Sequence, residues 1–134
     1  MTQHHRPMLT GAEPQLFVGD IRASCDFFAR KLGFEVAFVH GEPPFYAQVF
    51  RDRARLNLRH VDRPLFDNGL REREALLSAV ITLDNANGIQ ALFREIKKAG
   101  APLHQGLRQE PWGAQTFIVK DPDGNLLLFA GPSE

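Results

Sequence analysis

The hydrophobic pattern of the first half of the chain predicts one strand, one helix and three further strands. Residues 14–19 (PQLFVG) form a short apolar run, and Asp20 after it is a good helix N-cap. One helical face then collects the positions Ile21, Ser24, Cys25, Phe28 and Leu32. Gly33 stands where a glycine commonly ends a helix. Three strand-like segments follow, at 34–40, 45–50 and 54–60. The pattern predicts a βαβββ unit.

The same order of patterns restarts at Leu76 and predicts a second βαβββ unit. Residues 76–83 are strand-like, and Asp84 or Asn85 caps a helix that ends near Gly100. The apolar face of that helix contains Ile89, Leu92, Phe93 and Ile96. Three more strand-like segments follow, at 103–107, 114–120 and 126–130. Each unit alone is too short to bury a core, so we expect the two to pack against each other.

These units predict an α+β fold in a single domain, residues 1–134. The first βαβββ module covers 14–60 and the second covers 76–130, with a charged connector at 61–75. We expect the two modules to form a curved mixed sheet that has a concave cleft on one side and the helices on its convex side. Functional residues are then expected in the cleft.

A row of polar residues in the fourth predicted strand should face this cleft. Alternate residues of a strand point to opposite sides of the sheet. The apolar residues of this strand suit the helix side, which turns Arg55, Asn57 and Arg59 toward the cleft. Two interpretations stay open. The row is either a solvated strand face or a wall that donates fork-shaped hydrogen bonds to a carboxylate or phosphate.

Trp112 is the strongest aromatic candidate for a binding site. It is the only tryptophan, and it lies in a Pro-Trp-Gly loop, where a core residue is less expected. We therefore favour a role as a stacking wall for a planar ligand. Other aromatic residues of the first module are by default more often core than pocket: Phe38, Phe45, Tyr46 and Phe50.

Composition and charge exclude several classes of function. The 134 residues contain 16 Lys and Arg against 16 Asp and Glu, with a pI near 7.0, which argues against a nucleic-acid partner. The single cysteine, Cys25, excludes an internal disulfide framework and favours a reducing cytoplasm. No apolar run approaches the roughly 18 residues of a spanning helix, so we expect a cytoplasmic protein without a membrane partner.

Two stretches of the chain resemble the vicinal oxygen chelate superfamily, which includes glyoxalase I, extradiol dioxygenases, and fosfomycin- and bleomycin-resistance proteins. They are PQLFVGDIRASCDFFARKLGFEV in the first module and EPWGAQTFIVKDPDGNLLLFA in the second, and the resemblance covers about residues 14–130. The Asp-Pro-Asp-Gly-Asn turn at 121–125 is a fairly specific marker. The Pro-Trp-Gly segment before it is most similar to the bleomycin-resistance branch.

The resemblance implies a ligand set that this chain does not carry. Metal-dependent members hold a divalent ion with side chains from the first and last strands of each module. The matching positions here fall on Glu13, on Ser78, on Leu128, and near Asn57 or Leu58. Glu13 is the only credible ligand among them. His40, His60 and His104 could ligate only in a different geometry. We therefore expect no metal and no cofactor, and binding rather than catalysis.

By this analogy the chain is an antibiotic-resistance type of binding protein. Such relatives act as homodimers that sequester a small molecule in clefts between subunits, so Phe38 and Trp112 would stack on the ligand. Arg55, Asn57 and Arg59 would line the cleft. Those relatives are acidic and have an acidic residue where Ala37 stands here. An aromatic or anionic ligand is therefore expected, and the alternative is a metal-dependent lyase or dioxygenase with a divergent ligand set.

Overall fold

The structure, a computed structural model, describes residues 6–134 and shows two βαβββ modules joined by a short helix. The first module contains β1 (Gln15–Val18), α1 (Ile21–Leu32), β2 (Glu35–His40), β3 (Tyr46–Arg51) and β4 (Ala54–His60). The joining helix is α2 (Asn68–Glu74). The second module contains β5 (Ala79–Thr82), α3 (Ala86–Lys98), β6 (Leu103–Gln109), β7 (Ala114–Lys120) and β8 (Leu126–Pro132). The predicted α+β fold of two βαβββ modules is confirmed.

Both long helices begin at a side-chain cap, and α1 also ends at a glycine. The Asp20 side chain accepts a hydrogen bond from the backbone N–H of Ala23 at 3.0 Å and caps α1. Gly33 ends α1 in the left-handed region, with φ 71°. At the start of α3 it is Asn85, not Asp84, that caps, and its side chain accepts from the N–H of Gly88 at 2.7 Å.

Each module has its own four-stranded sheet, with strand orders β1-β4-β3-β2 and β5-β8-β7-β6. The first strand of each module pairs in parallel with the last, and the other pairs are antiparallel. Helix α1 packs on β2, β3 and β4, and α3 packs on β6, β7 and β8. Each sheet therefore has one face covered by a helix. We call the other side its open face.

The buried apolar residues of both modules form one cluster. Phe28 of α1 contacts the rings of Phe27 and Phe34 with centroids 5.5 Å away in each case. In the second module, Phe117 stacks on Phe129 with centroids 5.0 Å apart. All three of Phe28, Phe117 and Phe129 are at most 2% exposed. Burial of such large side chains is the main stabilising contribution to the fold.

Polar contacts also join the two modules. Arg51 of β3 forms a two-pronged ion pair with Glu95 of α3, with N···O distances of 2.6 and 3.1 Å. At the turn between β7 and β8, the Asn125 side chain donates to the backbone carbonyl of Phe17 at 3.2 Å. Gly124 in that turn has φ 84°, a conformation that favours glycine. The family-marker turn therefore holds the second module against the end of β1.

The region 61–79 differs in detail from the predicted pattern. The connector contains α2, whose end Ala75 has φ 48°, and the N–H of Leu76 bonds back to the carbonyl of Arg71. Because the residues just before Ser78 form the end of α2, they cannot join the strand. β5 therefore begins at Ala79, and the prediction that it begins at 76 is wrong. In the described part of the chain, none of the helices has the length and apolar character that crossing a bilayer requires.

Candidate ligand-binding site

A polar ladder crosses the open face of the first sheet, and Gln48 is its centre. The Gln48 side chain donates to Asn57 Oδ1 at 2.9 Å and to Glu13 Oε1 at 3.0 Å. Its own oxygen accepts from Arg55 at 3.1 Å. Asn57 also donates to Glu13 at 3.3 Å. The strand register explains the arrangement, because Gln48 lies directly opposite Asn57. Sequence reasoning placed Arg55 and Asn57 on this face but missed Gln48, which connects them.

A stacked aromatic pair, of which Phe38 is exposed and Tyr46 is half-buried, lies next to this ladder. The rings of Phe38 and Tyr46 are stacked, with centroids 6.2 Å apart and an interplanar angle of 22°. Phe38 is 44% exposed, although an aromatic residue of a strand more often enters the core. The Tyr46 hydroxyl donates to Gln15 Oε1 at 3.0 Å, which fixes the orientation of that ring. The pair offers a flat apolar surface to a ligand.

Arg59 is the positively charged group beside the aromatic pair. By register it lies opposite Tyr46 on one side and Phe17 on the other. Its guanidinium contacts the backbone carbonyl of His60 at 3.5 Å, and no carboxylate pairs with it among residues 6–134. Arg55, in contrast, lies over the Phe50 ring at 5.0 Å and is held by the ladder. Arg59 therefore retains donors for a planar anion.

Trp112 lies in the other module, on the turn between β6 and β7. It is 74% exposed, and Gly113 next to it has φ 91°. None of the aromatic pairs found in residues 6–134 includes Trp112. Within one chain the structure thus groups Phe38, Arg55, Asn57 and Arg59 on one sheet, while Trp112 belongs to the other module.

Of the positions that hold a metal in metal-dependent relatives, only Glu13 carries a side chain that suits a divalent ion. Glu13 accepts from the ladder, and the Ser78 hydroxyl is bound to Arg71 at 2.9 Å. Asn57 and Leu128 occupy matching positions in the last strands of the two modules, where each residue pairs with the first strand of its own module. Throughout residues 6–134, no three His, Cys, Asp or Glu side chains cluster as a metal site. An oxygen and imidazole donor set is therefore not assembled within these residues.

His40, His60 and Cys25 have other environments, and His104 lies in β6 of the second module. His60 pairs with Asp62 at 3.0 Å, and the ring of His40 packs edge-on against Phe45 at 5.5 Å. Cys25 is 8% exposed on the buried side of α1. Burial raises the pKa of its thiol, which disfavours the thiolate that a nucleophile requires.

A second polar cluster, which sequence reasoning missed, lies on the open face of the second sheet. Glu110 is 6% exposed and accepts hydrogen bonds from Arg108 and, at 3.1 Å, from the Thr116 hydroxyl. Gln105 donates to the same hydroxyl at 3.0 Å. The Arg108 guanidinium holds the pKa of Glu110 below its ordinary value. Glu110 directly precedes the Pro-Trp-Gly segment, so this ion pair anchors one end of the loop that carries Trp112.

Comparison with known proteins decides the family. Residues 12–129 match the family model described as Glyoxalase/Bleomycin resistance protein/Dioxygenase superfamily. The chain belongs to this superfamily. It is similar to the bleomycin resistance protein of Geobacillus stearothermophilus, with 33% identity over 129 residues that cover 87% of this chain and 92% of that protein. The bleomycin resistance protein of Staphylococcus aureus strain N315 has the same identity and coverage.

Solved structures of the superfamily share the fold of this member. A glyoxalase/bleomycin resistance protein/dioxygenase from Alicyclobacillus acidocaldarius has a TM-score of 0.73 and 20% identity, covering 92% of this chain and 91% of that one. The bleomycin-binding protein from Streptomyces verticillus, complexed with copper(II)-bleomycin, has a TM-score of 0.70 and 24% identity. The match covers 96% of this chain and 100% of that chain. The family model and the 33% identity with bleomycin resistance proteins confirm the resemblance inferred from the two sequence stretches, and the solved structures confirm the fold.

Proposed function

We propose that this superfamily member is a metal-free binding protein of the bleomycin-resistance type, which sequesters a small aromatic or anionic molecule. The observation that carries the proposal is the stack of the exposed Phe38 on Tyr46 beside Arg59, which has no carboxylate partner among residues 6–134. A flat ring packs on the stack while an oxyanion binds the guanidinium. The identity of 33% with bleomycin resistance proteins supports binding as the function.

The proposal includes a homodimer whose clefts lie at the subunit interface. In one chain the open face of the first sheet is uncovered, and β2 is exposed along all six of its residues. The second module has its own uncovered aromatic side chain, Trp112. When the first module of one copy faces the second module of another, both aromatic positions border the same cleft. A second copy also buries apolar surface on the open face of β2, around Phe38, which is favourable.

The cleft that we propose is suited to an anion more than to a cation. The ladder contains one carboxylate, Glu13, and it already accepts two hydrogen bonds from amide groups. Arg55 and Arg59 lie on the same face of β4. A cationic ligand would meet two guanidinium groups there. We therefore propose that this protein differs in ligand charge from relatives with an acidic cleft.

Ligand titration of matched variants tests the proposal. We would titrate wild type, Phe38→Ala and Val39→Ala with metal-free bleomycin and with 2-naphthoate, by calorimetry and by the shift of Tm. Val39 is the control, because it is 43% exposed like Phe38 but pairs with Ala47 on the helix side of the sheet. Phe38→Ala should weaken binding by about 1 to 3 kcal/mol, and Val39→Ala should leave it unchanged.

Three results would contradict parts of the proposal. If neither probe raises the Tm at concentrations far above the expected Kd, the chain is not a binding protein for these ligands. If sedimentation shows a monomer that still binds, the cleft does not lie between subunits, and Trp112→Ala should then have no effect on affinity. A stoichiometric divalent ion in protein purified without a His tag would favour the metal-dependent lyase or dioxygenase.

A further inference from the structure

A pocket of about 240 Å³ lies where the two modules meet. Its walls come from the end of β1, the connector, α2, and the turn between β7 and β8. Two of its side chains are aromatic, Phe17 and Phe66, with ring centroids 6.1 Å apart. Arg71 of α2 also lines it. The pocket thus combines an apolar wall with a guanidinium group.

Arg71 is a buried charge whose direct partners are all neutral. It is 8% exposed, and three of its five N–H groups donate to side-chain oxygens. These bonds reach Asn68 at 3.1 Å, Ser78 at 2.9 Å and Asn125 at 2.6 Å. Its guanidinium carbon also lies 4.7 Å from the centroid of the Phe66 ring. Burying a charge without an opposite one is costly, so the site favours an anion.

Two carboxylates, Asp62 and Asp123, line the pocket together with a second cation, Arg63, and both carboxylates are bound to other groups. Asp62 pairs with His60 at 3.0 Å, and its side chain is 98% exposed. Asp123 accepts from the backbone N–H of Gly19 at 2.8 Å. Asp121 reaches Arg71 only through the amide of Asn125. No salt bridge to Arg71 is found in residues 6–134.

We propose that this pocket binds a small aromatic carboxylate, with its oxyanion on Arg71 and its ring against Phe17 and Phe66. The two N–H groups of Arg71 that have no acceptor in the described residues supply the hydrogen bonds. The aromatic wall favours a flat body over a bare inorganic anion. None of the ladder residues and neither Phe38 nor Arg59 lines the pocket, although Phe17 lies beside Arg59 in the sheet, so the variants below decide whether the two sites bind separately.

The test uses benzoate, its neutral analogue benzamide, and inorganic phosphate. Arg71 gives a resolvable Nε–H signal in ¹⁵N-correlated NMR when its side chain is buried, so binding is observed at the site itself. We expect benzoate to shift this signal and to bind at least about tenfold more tightly than benzamide, since a charged acceptor strengthens the hydrogen bonds. Phosphate should bind more weakly than benzoate. An Nε–H signal that benzoate leaves unmoved overturns the proposal, and phosphate binding as tight as benzoate overturns the aromatic part.

Variants separate this site from the open face. Arg71→Gln should weaken benzoate binding about tenfold or more. Because that variant can also lose stability, Phe66→Leu provides a second test, in which the benzoate response should fall while the fold is kept. Phe38→Ala should leave the response of the Arg71 signal unchanged. If Phe38→Ala abolishes that response, benzoate acts through the open face and the pocket is not a separate site.

Discussion

Asp121 provides a test of how burial controls charge in this fold. It lies in the turn between β7 and β8 and is 3% exposed. Its carboxylate accepts from the backbone N–H groups of Asp123 and Asn125, at 2.9 and 2.8 Å, and from the Asn125 side chain at 2.9 Å. These three bonds favour the charged form, and burial disfavours it. Burial dominates and raises the pKa of Asp121 from 3.8 to about 6.

The raised pKa predicts the direction and size of a pH effect on stability. The folded protein keeps the Asp121 proton between about pH 4 and pH 6, whereas the unfolded chain loses it there. The contribution of this group is therefore present below the unfolded pKa of 3.8 and is lost as the pH rises through about 6. The difference between these pKa values corresponds to about 3 kcal/mol in the free energy of unfolding.

Urea unfolding of wild type and Asp121→Asn measures this contribution. Far-UV circular dichroism is the suitable signal, because Trp112 is already 74% exposed and its fluorescence would change little. Asp121→Asn is expected to destabilise the fold by an amount that does not vary with pH. The reason is that the new amide N–H groups face those of Asn125, so donors meet donors. Other carboxyl groups, including Glu110, cancel when the two proteins are compared. Relative to the variant, wild type should lose about 2 kcal/mol between pH ~4 and pH ~7, because part of the full difference is already lost at pH ~4.

Two outcomes would refute the reasoning about Asp121. A difference between the two proteins that stays constant with pH would mean that the group titrates alike in the folded and unfolded states. If wild type instead becomes more stable relative to the variant as the pH rises, the three hydrogen bonds that Asp121 accepts outweigh burial and lower its pKa. Protein concentration must be held fixed throughout, because dimerisation would otherwise change the apparent stability.

Two further predictions concern the packing of the modules. A double-mutant cycle on Arg51→Ala and Glu95→Ala should give a coupling free energy of about 0.5 to 1 kcal/mol, because the ion pair is two-pronged but partly exposed. A coupling free energy of zero would show that the pair does not stabilise the contact between the modules. Gly131→Ala should destabilise the fold by about 1 to 3 kcal/mol in thermal unfolding, because the new Cβ would lie 2.8 Å from Ile89 Cβ. Gly106→Ala, where a Cβ meets nothing within 4 Å, is the control, and equal losses in both variants would contradict the argument.

Local patterns were sufficient to predict most of the fold. The periods of two and 3.6 residues, with the caps at Asp20 and Gly33, gave the order of elements and the helix-facing side of the strands. They failed for α2, whose seven residues have no apolar periodicity. That helix is instead held by Arg71, its one buried residue, through contacts with Ser78 and Asn125 of the second module. Such long-range partners leave no periodic signal in the sequence.

The candidate site was predicted less completely for the same reason. Strand parity placed Arg55, Asn57 and Arg59 on the correct side, because it depends only on alternation. It did not distinguish the bound Arg55 from the available Arg59, since that difference arises from Gln48 on the neighbouring strand. The aromatic character of Phe38 alone favoured the core, and only the family resemblance predicted that it contacts a ligand; all six residues of its strand are exposed.

The neutral charge of the whole chain hides a difference between the two open faces. On the first sheet Glu13 is bound within the ladder, and Arg59 is left without an acidic partner among the described residues. On the second sheet the charges of Arg108 and Glu110 neutralise each other in a direct ion pair. In a cleft formed by one open face of each kind, the first module therefore determines the sign of the net charge. If the anion binds at Arg59 as we propose, its main partner is an exposed guanidinium, so salt should weaken anion binding at this face more than it weakens stacking on Phe38 and Tyr46.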